Sequence, residues 1–165
     1  MAVTAPNLEA ESDDVLRSST SKSPDKELNG PALLCEDAPY PRFTPGDYEA
    51  RCVAAKVYRD PRFRRWVARL EFRLMGGEGG VVYAFLNLGT GAKALVTRGS
   101  EYRRAWVIAN DGIAPRKRQV MSLRAFIGKI FLVRIGDTSR RFDGRDHPAG
   151  EVYSTVKEVK AKVGP

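Results

Sequence analysis

Two short stretches of this sequence hold the residues best suited to chemistry. Arg59 to Trp66 reads RDPRFRRW, and Ser139 to Asp146 reads SRRFDGRD. Each sets several arginines around one phenylalanine and places Asp beside Pro or Gly, a composition that turns the chain rather than extending it. The arginine fork pairs with phosphate oxygens and stacks on flat rings. An aromatic ring among charges offers a face on which a base can stack, and the two devices together hold single-stranded nucleic acid. Arg59, Arg62, Arg64, Arg65, Arg140, Arg141 and Arg145 are therefore the expected phosphate contacts, with Phe63 and Phe142 as stacking platforms. Trp66 closes the first stretch; core packing is the stronger expectation for it, and base stacking the alternative.

Other chemistries fit less well. Asp137, Asp143, Asp146 and Glu151 lie close together, as the oxygen ligands of a nuclease magnesium would. The arginines between them repel a cation, however, and Asp and Gly are ordinary residues of a long hairpin loop. The chain has one histidine, His147, and two cysteines, Cys35 and Cys52, too few nitrogen and sulfur ligands for tetrahedral zinc. His147 is expected to be a solvated loop residue. LGTGAK, from residue 88, lacks the spacing of a phosphate-binding loop. The expectation is a protein without enzyme activity, metal or cofactor.

Charge supports the polyanion reading. The chain of 165 residues carries a formal net charge of +8, split unevenly. Residues 1–40 hold eight acids and three bases, whereas residues 41–165 hold 25 bases and 12 acids. The first segment is rich in Ser, Asp, Glu and Pro and is expected to be disordered. An acidic tail on a basic body suggests a polyanion-binding body whose tail competes for the same surface. Without a basic, apolar leader, an 18-residue apolar run or a cysteine framework, the expected place is the cytoplasm, away from membranes.

Hydrophobic periodicity indicates the elements that must position these loops. DYEARCVAAKVYR, from residue 47, reads as a strand of roughly ten residues whose apolar phase switches from Tyr48, Ala50 and Cys52 to Ala55 and Val57, a pattern that fits a bulge. WVARLEFRLM alternates cleanly, with Trp66, Ala68, Leu70, Phe72 and Leu74 inward and Arg69 and Arg73 outward, where they would line a groove floor. VVYAFLNL is a strand apolar on both faces. Ser100 caps a helix over EYRRAWVIAND that ends at Gly112, with Tyr102, Ala105, Trp106 and Ala109 on one face. APRKRQV is a basic linker, SLRAFIG a helical turn, and KIFLVRIG and EVYSTVKEVKAKV the last two strands.

The order β-β-β-α-β-β over residues 41–165 predicts a mainly β domain, the five-stranded Greek-key barrel called the OB-fold, with a small sandwich as alternative. In that barrel, oligonucleotides cross strands two and three between the loops joining strands one to two and four to five. RDPRFRRW and SRRFDGRD fall in those two loops.

The stretch from TPGDYEARCV to YSTVKEV resembles OB-fold proteins of bacteriophages and mobile elements that bind single-stranded DNA. The Pro-Gly-x-Tyr start, the polar loop after the first strand, the aromatic second and third strands, the central helix and FIGKIFLV before strand four carry the resemblance, over residues 42–160. It implies sequence-tolerant single-strand binding in replication or recombination. The main bacterial single-strand-binding family ends in an acidic tail with a hydrophobic tip, whereas this chain ends VKEVKAKVGP; the acidic segment at 9–14 is then the expected contact for a protein partner. RNA in place of DNA, a homo-oligomer, and an interaction module whose basic face binds an acidic protein stay open.

Overall fold

The computed structural model describes residues 41–165, apart from 78 and 142. The expectations for the acidic tail and Cys35, and for Phe142, lie outside the described residues.

Among the described residues five strands form: β1 (Gly46–Asp60), β2 (Arg65–Leu74), β3 (Val81–Asn87), β4 (Ile130–Thr138) and β5 (Tyr153–Gly164). They close in the order β1-β2-β3-β5-β4, with β4 returning to β1. β3 and β5 run parallel and meet through a single bridge, Tyr83 to Thr155, while the other neighbours are antiparallel. This closed ring with one helix between β3 and β4 is the OB-fold, and closure replaces the two-sheet alternative.

β1 is longer than its sequence suggested because one strand serves two neighbours. Gly46–Arg51 pairs with β4, and Ala50–Asp60 pairs with β2. Between Cys52 and Ala54 the register with β2 shifts by one residue, leaving Val53 as the extra residue of a bulge. The bulge bends the strand around the barrel and shifts the apolar phase as the sequence implied: Ala55 packs on the core, while Val57, in the same phase, stays 40% exposed.

Inward-pointing Phe72 and Phe131 meet edge to face at 5.9 Å, and Phe126 packs on Phe131 at 6.1 Å. Helix α1 (Glu101–Ala109) joins this core through Tyr102, Ala105, Trp106 and Ala109, the face predicted from its 3.6-residue period. Each fully buried Phe or Leu contributes about 1.5–3 kcal/mol relative to exposure. Ser100 caps α1 by accepting the Arg103 N–H at 3.2 Å. At the other end Gly112, at φ +82°, donates its N–H to the Val107 carbonyl at 2.9 Å and reverses the chain. Lys129 donates to the Ala109 carbonyl at 2.6 Å, placing a cation at the negative end of the helix.

Candidate nucleic-acid interface

The first arginine loop joins β1 to β2. Asp60, its one acid, accepts the backbone N–H groups of Arg62 (3.0 Å) and Phe63 (3.3 Å), so its carboxylate shapes the turn. Arg64 has φ +50°, in the left-handed region that glycine occupies without steric cost. The turn holds Phe63 41% exposed. The Arg65 guanidinium lies 4.8 Å from its ring centre and that of Arg62 5.8 Å. Arg65 Nε is buried without a hydrogen-bond partner among the described residues. No ion pair joins Arg59, Arg64 or Arg65 to an acid among the described residues.

The outer face of the sheet continues this chemistry. Reading across β1, β2 and β3, the rungs are Tyr58–Val67–Asn87, Lys56–Arg69–Phe85, Ala54–Glu71–Tyr83 and Arg51–Arg73–Val81. Arg69 lies 4.8 Å from the centre of the Tyr83 ring, the Tyr83 and Phe85 rings are 6.3 Å apart, and Lys56 Nζ is 5.6 Å from the Tyr58 ring. Arg69 and Arg73 thus lie on the expected face, Arg73 exposed and Arg69 half-buried. Tyr58, Tyr83 and Phe85 escaped the sequence reading as contacts. β3 is apolar on both faces, so its period could not say which rings turn outward; only its register with β2 does.

Trp66 belongs to the opposite phase. It packs partly buried against the core, and its indole N–H donates to the Gly91 carbonyl at 3.2 Å. It therefore lies off the face that holds Arg69, in line with the packing expectation. Arg59 pairs with Trp66 across the ladder and shares that side.

The second arginine loop, between β4 and β5, closes on itself. His147 N–H reaches the Ser139 carbonyl at 2.6 Å, Arg141 N–H reaches that of Arg145 at 2.7 Å, and Gly144 N–H that of Arg141 at 3.1 Å. Its arginines face acids: Arg141–Glu151 at 2.7 Å, Arg140–Asp146 at 3.8 Å and Arg145–Asp143 at 4.0 Å. Hydrogen bonds from Arg141, and then His147, hold the Glu151 carboxyl below its ordinary value. His147 is not the solvated residue expected: its side chain is only 18% exposed and meets the Tyr153 ring edge-on at 5.9 Å. Asp137, the first of the four acids weighed as magnesium ligands, is bound by Arg42 at 2.9 Å and by the Ser154 hydroxyl at 3.2 Å. Among the described residues no three His, Cys, Asp or Glu side chains come together to hold a metal ion.

The topology sets the two loops at opposite ends of the outer face. The first opens β2 beside Val67 and Asn87, and the second delivers β5 to β3 at Tyr83. Between them the cations Lys56, Arg69, Arg73 and Arg51 lie among the rings of Tyr58, Tyr83 and Phe85, with the acid Glu71 opposite Tyr83; cations set among rings suit an extended polyanion bearing flat groups. No protein-family model matches the sequence, and no curated protein matches it significantly.

Proposed function

We propose that the barrel binds single-stranded DNA with little sequence preference, holding phosphates on arginines and bases on aromatic faces. Strand protection or presentation during replication or recombination is the use this implies. The observation that carries the reading is the set of cations held against rings, Arg65 on Phe63 and Arg69 on Tyr83 with Tyr58 and Phe85 beside them, along one outer face and the loop at its end. Stacking works for any base because every base has a π face.

The test is fluorescence anisotropy with a labelled oligonucleotide of about 30 residues, single-stranded and then duplex, across a salt series. The single strand should bind more tightly, with affinity falling steeply as salt rises. Phe63→Ala and Tyr83→Leu should each weaken it by about 1–3 kcal/mol, the worth of one stacked base, without changing the salt slope. Equal, weak binding of both forms, untouched by these substitutions, would sink the reading and direct attention to an acidic protein as the partner.

A further inference from the structure

A cleft of about 860 Å³ lies between the loop that follows β3 and the connection from α1 to β4. Five cations line it: Arg98, Arg103, Arg116, Lys117 and Arg118. No Asp or Glu among the described residues lines it, and none of the five is in an ion pair among those residues. The linker motif PRKR, at 115–118, thus meets two arginines from around the start of α1.

The cleft is a held structure. Arg116 N–H donates to the Gln119 side-chain oxygen at 2.8 Å, and Gln119 N–H returns to the Arg116 carbonyl at 3.1 Å. Tyr102 O–H anchors the end of the linker at the Met121 carbonyl, at 2.8 Å. Arg118 sits at φ +64°, where glycine would be cheaper. A side chain kept on a strained backbone position is a reason to ask what that side chain does.

Resting on the single-strand reading above, we infer that this cleft holds the sugar-phosphate backbone of the same strand as it leaves the first arginine loop. Continuity supports this. Val57 lines the cleft, and Arg59 lies two residues further along the same side of β1. The Trp66–Gly91 bond ties the base of the loop to the segment that leads into the cleft wall. Among the described residues that line it, the one aromatic, Tyr102, is buried. The cleft therefore takes phosphates without stacking bases, and its contribution is blind to base identity.

The full chain is titrated with labelled oligothymidines of about 8 and about 20 nucleotides, spanning the range of sites per OB-fold. A third probe extends the 8-mer with abasic phosphates to the length of the 20-mer. Wild type should gain roughly tenfold or more from either extension. Arg98→Gln/Arg103→Gln/Arg116→Gln/Arg118→Gln should bind the 8-mer as wild type does but lose that gain. Its salt slope on the long strand should be shallower by about 0.7 per phosphate released. Arg118→Gly alone should lose part of the gain while its melting temperature holds or rises, which separates binding from folding. The inference is overturned if the quadruple variant keeps the gain or loses 8-mer affinity equally, or if wild type gains only from the extension that carries bases. It is also overturned if a Glu- and Leu-rich peptide binds wild type but not the variant while the DNA gain is unchanged, since the cleft would then serve a protein. Failure of the single-strand reading looks different: the 8-mer itself would not bind, or would ignore Phe63→Ala.

Discussion

At the residue scale, two arginines occupy backbone positions that suit glycine. Arg64 and Arg118 both have positive φ, and both sit in turns secured by a side chain, Asp60 in one and Gln119 in the other. An L-residue there costs roughly 1–2 kcal/mol, so these turns trade stability for a charge at a chosen place. Arg64→Gly should therefore raise stability by up to about 1 kcal/mol. Urea unfolding reads this as a higher midpoint at unchanged slope, while affinity for single-stranded DNA falls. A loss of stability would mean that the Arg64 side chain supports the fold rather than a ligand.

At the scale of elements, three strands are tied at one point outside the core. Asp47 on β1 accepts from Arg134 on β4 at 2.9 Å and from Lys160 on β5 at 2.8 Å. The hydrogen bond from Arg134, then that from Lys160, lowers the Asp47 carboxyl from its ordinary 3.8 to about 2. Because the folded value is the lower one, the tie stabilises the barrel fully above about pH 4 and is lost as pH falls towards 2. Asp47→Asn should accordingly be less stable than wild type at pH 6, and the gap should close as the solution approaches pH 2. Thermal melts of both proteins across that range check the sign. A gap that stayed constant down to pH 2 would show that the carboxylate's charge is not what matters.

At the scale of the whole molecule, charge is distributed less evenly than its loops imply. The two arginine loops look alike as sequence, yet the first has four arginines around one acid that is occupied with its backbone, and the second meets each arginine with an acid. Exposed pairs of this kind are individually weak, but they lower the field that a phosphate would feel. Replacing Arg140, Arg141 and Arg145 with Gln should then cost clearly less single-strand affinity than replacing Arg59, Arg64 and Arg65. The salt slope should become shallower mainly in the latter, by about 0.7 for each phosphate no longer neutralised. Equal losses from both triple variants would mean that the acids of the second loop release their arginines when DNA arrives.

Much of this architecture is local and so was legible in the sequence. Alternation marked Ala68, Leu70, Phe72 and Leu74 as the inner face of β2, and the phase switch before Ala55 marked the bulge of β1. Ser100 and Gly112 announced the ends of α1, because caps depend on neighbours a turn away. The arginines and Phe63 of the first loop were legible for the same reason, since a turn is written in its own few residues. What only the tertiary structure decided involves residues brought together from afar. Strand register turned Tyr83 and Phe85 outward beside Arg69, which no period in a doubly apolar strand could indicate. Folding set Arg141 against Glu151, and gathered Arg98 and Arg103 with Arg116 to Arg118. Periodicity is a property of consecutive residues. Stacking and Coulomb interactions depend on separation in space, which is set only once the barrel closes.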